Sequence, residues 1–164
     1  MDYLIIGTTA INRPELHNLV LSKWFEWLKK ANKQIIWFIN IDIIDYLESD
    51  YNFTKKNIEN ILENSIDELI ILPQQTNGFL GACKNISFMI KKYVEDNNIC
   101  KEQLRIIWLE DDWEITNDID INKLLEYSGK NTHINLTGLH TNYIHSLAPS
   151  ILSYKFWENN FYNS

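Results

Sequence analysis

The sequence predicts an α/β fold with a mostly parallel central sheet and helices on both faces of that sheet. Short, continuous apolar runs alternate along the chain with longer segments in which apolar residues recur at helical spacing. This alternation is typical of a parallel sheet whose strands are buried on both faces by the helices that connect them. With 164 residues, 45% of them hydrophobic and 23% charged, the chain is long enough to form one domain with a substantial core.

The predicted strands are the short apolar runs 3–7, 34–39, 68–72 and 104–109, with a further strand at 133–136. The first run ends in Gly-Thr-Thr, which predicts a loop from Thr8 onward. The composition of residues 73–78 also predicts a loop.

The predicted helices cover residues 16–28, 80–94, 121–127 and 150–157. A further helix, the second along the chain, is predicted to begin at Thr54. Pro14 suits the first turn of the first helix, and Asn12 is its expected N-cap. Thr54 is the expected cap of the second helix, whose apolar face includes Ile58 and Ile61.

Polar side chains follow the carboxyl end of each of the first four predicted strands. In chain order they are Thr8, Thr9 and Arg13, then Asn40 and Asp42, then the segment 74–81, and finally Glu110, Asp111 and Asp112. In an open parallel sheet the ligand lies beyond the carboxyl ends of the strands. The sequence therefore predicts a binding site at this edge.

Glu110, Asp111 and Asp112 place three carboxylates directly after a buried strand, between two tryptophans. Neighbouring anions repel each other unless a cation or hydrogen-bond donors compensate. Carboxylate oxygens suit Mg²⁺ or Mn²⁺, which often take only one or two protein carboxylates and add substrate phosphates as ligands. On spacing alone, a solvated acidic turn explains the run equally well.

Two segments offer groups for a phosphorylated ligand. Arg13 precedes a helix, where a guanidinium pairs well with a phosphate. Gly81 allows close approach of the backbone at the start of the third long helix, and Lys84 and Asn85 follow it. An ordinary surface arginine and an exposed helix-start lysine are the alternatives.

Charge and cysteine content exclude several classes of protein. The formal net charge of −7 argues against nucleic acid as a partner, because such proteins normally carry a basic face. Cys83 and Cys100 have no paired spacing and are expected to be free thiols. We expect no membrane span, no signal peptide and a cytoplasmic location.

Taken together, these segments resemble the donor-binding part of GT-A-type nucleotide-sugar glycosyltransferases, which have a Rossmann-like fold. The most specific segment is WLEDDW, which resembles the family's D-x-D-like motif in its E-D-D form. The matching stretches are TTAINRPELH (8–17), FINID (38–42), GFLGACKNISFMI (78–90), IIWLEDDWEI (106–115) and APSILSYKFWE (148–158). The composition, rich in Asn and Ile, is also typical of AT-rich coding, as in large DNA viruses or AT-rich bacteria.

The resemblance implies a role for each matching residue. Asp112 would ligate Mn²⁺ or Mg²⁺, and Glu110 and Asp111 would contact the ribose or a metal-bound water. The residues implied for the nucleoside and diphosphate are Thr8, Thr9, Arg13, Asp42, Gly81, Lys84 and Asn85. The catalytic base would lie in the region after 148–150, and no residue is predicted for that role.

The expected function is metal-dependent transfer of a sugar from a UDP- or GDP-sugar donor to a glycan or protein acceptor. The whole chain, 1–164, is expected to form this one domain, short on the acceptor side. Two alternatives remain. One is a nucleotide-sugar-binding module without transferase activity, and the other is a Rossmann-like interaction domain with surface carboxylates.

Overall fold

The structure, a computed structural model, describes residues 3–62, 66–74, 78–102, 104–117, 119–128, 133–136 and 149–162. Its elements are β1 (Tyr3–Ile11), α1 (Pro14–Leu28), a 3₁₀ turn (Lys29–Ala31), β2 (Gln34–Asp42), α2 (Tyr51–Leu62), β3 (Glu68–Ile71), α3 (Gly78–Asp96), β4 (Arg105–Glu110), α4 (Ile121–Ser128), β5 (His133–Asn135), β6 (Ser150–Ser153), α5 (Tyr154–Trp157) and a π-helical turn (Glu158–Tyr162). Part of the predicted loop 73–78, residues 75–77, lies outside the described residues.

The strands form one six-stranded sheet in the order β3-β2-β1-β4-β6-β5. The first four strands pair in parallel, whereas β6 pairs antiparallel with both β4 and β5. The predicted α/β class and its mostly parallel sheet are therefore confirmed.

Hydrophobic clusters cover both faces of the sheet. Leu4 and Ile6 of β1 belong to a cluster that includes buried residues of α1 and α2, whereas Ile5 belongs to a second cluster with α3 and α5. This alternation follows from the two-residue period of side chains along a strand. Consecutive residues at the end of a strand therefore point to opposite faces.

The chain reverses its direction across the sheet between β1 and β4. It runs outward from β1 to β2 and β3, and then returns through α3 to β4 on the other side of β1. In doubly wound sheets this switch point opens a crevice at the carboxyl ends of the two central strands, where ligands bind. In this protein, Ile11 and Glu110 end those strands.

The prediction that the second strand ends at Ile39 was wrong, since β2 continues to Asp42. The prediction that β1 ends at Gly7 was also wrong, since that strand continues to Ile11. Both flanking strands pair with it, and Thr8 and Thr9 are β-branched residues that suit a sheet. Gly7 is needed for packing within the strand, because a Cβ atom there would lie 2.9 Å from Cζ3 of Trp108.

Three further local predictions were wrong. Asn12 does not cap α1, whose N-cap residue is Arg13 without a side-chain cap bond. Thr54 lies inside α2, and the backbone N–H of Phe53 donates instead to the Asp50 carboxylate.

The segment predicted as a helix from Ser150 begins with β6, because pairing with β4 outweighs the local pattern. Helical structure starts only at Tyr154.

In the part of the chain that the structure describes, no helix combines the length and apolar character needed to cross a membrane.

Candidate functional site

A row of polar side chains lies at the carboxyl edge of the sheet, on the face covered by α3. Thr9 is the register partner of both Asn40 in β2 and Glu110 in β4. A Cβ atom on Gly7 would contact Ile86 of α3, so Thr9, two residues further along, points to the same face. Thr9 and Asn40 are buried and Glu110 is partly buried. The sheet therefore brings Thr9 and Glu110 together as predicted.

Thr8 points into the opposite face, away from this row. It is fully buried, and its Oγ1 accepts a hydrogen bond of 2.8 Å from the indole N–H of Trp37. The structure therefore places Thr8 in the core, where it supports the sheet, and not with the other predicted site residues.

Glu110 is held in an environment that disfavours its ionised form. Its Oε2 accepts a 2.8 Å hydrogen bond from the indole N–H of Trp113. Burial raises the pKa of the Glu110 carboxyl to about 7, the charges of Asp112 and Asp111 add to this rise, and the Trp113 bond partly offsets it. A cation close to Glu110 would favour the carboxylate.

Asp111 is almost completely buried, with 5% of its surface exposed. Its Oδ2 accepts a 2.9 Å bond from the backbone N–H of Ile11 and lies 3.1 Å from Nε2 of His17. Its backbone N–H donates to the carbonyl of Thr9. Asp111 thus ties the end of β4 to the end of β1 and to the first turns of α1.

Asp112 is the open member of the acidic cluster, with 53% of its side chain exposed. Its Oδ2 lies 3.9 Å from Nη2 of Arg13, and the same nitrogen lies 3.7 Å from Oδ1 of Asp111. The Arg13 guanidinium therefore lies between the buried carboxylate and the exposed one. The structure brings together Arg13, Asp111 and Asp112 as the sequence predicts.

The remaining predicted residues lie around this centre. Asp42 ends β2 as the register partner of Ile11 and is partly exposed. Gly81 and Asn85 are partly buried on α3, and Lys84 is exposed. Because α3 begins at Gly78, Gly81 completes its first turn, and Lys84 and Asn85 lie beyond that turn.

Cys83 shows which part of α3 lies near the acidic cluster. Burial raises the pKa of its thiol to about 12, and the charge of Glu110 contributes to that rise. Cys83 also packs against the hydrophobic cluster that contains Trp108, two residues before Glu110, so this part of α3 lies on the Glu110 face of the sheet. The third predicted segment therefore borders the same crevice.

The carboxylates suit a metal ion that is coordinated partly by the protein and partly by a bound ligand. No group of three or more His, Cys, Asp or Glu side chains that could hold a metal occurs among the residues described. Mg²⁺ and Mn²⁺ bound with phosphates need only one or two protein carboxylates. Asp112 and Glu110 suit this mode, whereas the Ile11 N–H and the His17 ring already engage Oδ2 of Asp111.

His17 is a residue of the site that the sequence did not predict. It is completely buried and contacts Asp111, which is 94 positions away in the chain. The sequence feature that could have indicated His17 is its position four residues after Arg13, because residues four apart lie on the same side of a helix.

Neither a scan against protein-family models nor a search of curated proteins finds a match to this chain. The functional interpretation therefore depends on the geometry and the charges of the site.

Proposed function

We propose that this protein is a metal-dependent glycosyltransferase that binds a nucleoside-diphosphate sugar at the switch point between β1 and β4. The observation that carries the proposal is the meeting of an exposed carboxylate, Asp112, with the guanidinium of Arg13 at that point, next to Glu110. A cation and a diphosphate have complementary partners there. The resemblance of WLEDDW to the GT-A D-x-D-like motif supports this choice of ligand.

Asp112 is the proposed metal ligand, because it is the open carboxylate of the cluster. Glu110 either completes the protein's share of the coordination or binds a metal-bound water. When bound, Mn²⁺ or Mg²⁺ supplies positive charge that stabilises the departing nucleoside diphosphate. The raised pKa of Glu110 means that a nearby cation also relieves an unfavourable charge in the protein.

Arg13 is proposed to hold a phosphate. Its Nη2 lies 3.7 Å and 3.9 Å from the two carboxylates, and 29% of its side chain is exposed, so its N–H groups have donor capacity left for a ligand. It lies at the N-cap of the 15-residue helix α1, where the helix dipole also favours an anion.

The nucleoside is proposed to lie along the α3 side of the crevice. Thr9 and Asp42 border it from the sheet, and Gly81, Lys84 and Asn85 border it from α3. Gly81 has no Cβ and allows close approach of the ligand to the helix. Thr8 contributes only indirectly in this arrangement, because the Trp37 indole occupies its hydroxyl.

Isothermal titration with UDP and with GDP, in the presence and absence of Mn²⁺, tests the binding step. We expect one of the two to bind only with Mn²⁺, and Asp112→Asn to weaken that binding at least about tenfold, which corresponds to 1.4 kcal/mol. Asp96→Asn is the matched control, since Asp96 is exposed at the far end of α3. If neither nucleotide shows metal-dependent binding, the proposal is wrong.

Donor turnover separates a transferase from a binding module. Incubation with UDP-glucose, UDP-galactose, UDP-N-acetylglucosamine and GDP-mannose, each with Mn²⁺, is expected to release nucleoside diphosphate from one donor. Loss of this release in Asp112→Asn, with Asp96→Asn unaffected, would support transfer chemistry. Metal-dependent nucleotide binding without any turnover of a bound donor would indicate the binding module.

A further inference from the structure

We infer that His17 is a positioning residue of the proposed site, which acts through Asp111 to fix the Arg13 guanidinium beside Asp112. The inference rests on the proposed function. It adds to the proposed site a residue that contacts neither the metal nor the nucleotide. It also gives Asp111 a different role from the one that the sequence resemblance implies, because Asp111 becomes a support and not a ligand contact.

The contacts form a chain that leads from the core to the exposed rim. The His17 ring is fully buried and its Nε2 lies 3.1 Å from Oδ2 of Asp111. The other carboxylate oxygen of Asp111 lies 3.7 Å from Nη2 of Arg13, and that nitrogen lies 3.9 Å from Asp112. The exposed fraction of the side chain rises at every step, from 0% for His17 through Asp111 and Arg13 to 53% for Asp112.

The chemistry of the pair fixes the direction of the hydrogen bond. An ionised carboxylate only accepts, so Nε2 must carry the proton and donate it. Nδ1 of His17 is buried and has no hydrogen-bond partner among the described residues. A proton on Nε2 and a lone pair at Nδ1 therefore fit this environment, because an N–H at Nδ1 would be a buried donor without a partner.

Two donors hold the Asp111 carboxylate in one orientation. The Ile11 N–H and the His17 ring both bind Oδ2, which leaves Oδ1 directed at Arg13. Removing the His17 donor would allow the carboxylate to rotate, and Arg13 would then lose its fixed position beside Asp112. We therefore expect His17 to affect how tightly the metal-dependent nucleotide binds.

Two substitutions distinguish this role from a purely structural one. His17→Gln retains an N–H donor at a similar reach, whereas His17→Met fills a similar volume without a donor. We expect His17→Met to raise the Kd for UDP or GDP with Mn²⁺ about tenfold or more, as loss of supporting hydrogen bonds does at metal sites. His17→Gln is expected to stay close to the wild type, even where both variants lower the melting temperature.

Nitrogen-15 NMR of the wild-type protein without nucleotide tests the contact itself. The His17 ring is expected to show a protonated Nε2 with slow solvent exchange, and Asp111→Asn is expected to accelerate that exchange. An Nε2 that carries no proton would overturn the inference even if both histidine variants failed to fold.

The outcomes separate the inference from the proposed function. Normal wild-type nucleotide binding with an unchanged Kd in His17→Met would overturn the positioning role alone. A wild-type protein that binds no nucleotide in the presence of Mn²⁺ would overturn both.

Discussion

Replacing Glu110 with Gln is expected to remove a pH-dependent loss of stability from the protein. The carboxyl pKa rises from 4.5 to about 7 on folding, mainly through burial. Between these values the folded protein binds more protons at Glu110 than the unfolded chain does, so its contribution to stability falls as the pH rises. The stabilising contribution of Glu110 is fully present below pH 4.5, and it is completely lost above about pH 7.

The structure sets the size of this effect. A change in pKa from 4.5 to about 7 corresponds to at most about 3–4 kcal/mol, because each pKa unit is worth about 1.4 kcal/mol. Glu110 is only partly buried, and solvent screening reduces the expected loss to about 1–2 kcal/mol. The Gln amide retains an oxygen that accepts the Trp113 indole N–H, so the substitution removes charge while keeping this bond.

Urea denaturation at pH 4, 5.5, 7 and 8 measures this effect. We expect Glu110→Gln to be about as stable as the wild type at pH 4, and about 1–2 kcal/mol more stable at pH 8. Glu126→Gln is the control, because it removes the same charge from an exposed position on α4. If the Glu110→Gln and wild-type profiles run parallel across this range, the reasoning about Glu110 is refuted.

Three further predictions concern packing and thiol reactivity. Gly7→Ala is expected to cost about 1–3 kcal/mol in denaturation, because the new methyl group would lie 2.9 Å from Trp108; unchanged stability would contradict this close packing. Asn12→Ala removes the side-chain bonds to Ile44 and Ser49 and is expected to cost about 2 kcal/mol. Hydrogen exchange should then accelerate at the Ile44 amide, and an unchanged exchange rate would contradict the hydrogen bond from this amide to Asn12. At pH 8, Ellman's reagent is expected to label exposed Cys100 well before the other thiol, Cys83, whose pKa is about 12; equal rates would argue against this environment.

Periodicity predicted the fold class because it depends on which residues are buried, and burial controls the layers of an α/β domain. The errors in the extent of the strands occurred where pairing between strands outweighs local composition. Gly7 and the threonines after it resemble a turn in isolation, yet β2 and β4 pair with them on both sides. Ile151 and Leu152 in β6 likewise pair with Ile107 and Ile106 of β4.

The location of the candidate site could be predicted from the ends of the strands, but the separate environments of its carboxylates could not. Glu110 ends β4 on the α3 side, Asp111 turns towards α1, and Asp112 is exposed. These differences depend on His17 and on the backbone of Ile11, which are distant in sequence from the acidic run. A motif describes residue types, whereas tertiary contacts decide which carboxylate is free to bind.

Paramagnetic broadening of amide NMR signals by Mn²⁺, in the presence of the nucleotide that binds, tests the central claim most directly. A metal at the switch point is expected to broaden the amides of residues 9–13 and 110–113 first, and those of residues 81–85 next. The amides near Asp96, at the far end of α3, are expected to stay sharp, and Asp112→Asn should abolish the selective pattern. Broadening centred away from the ends of β1 and β4 would contradict the proposed metal–diphosphate site.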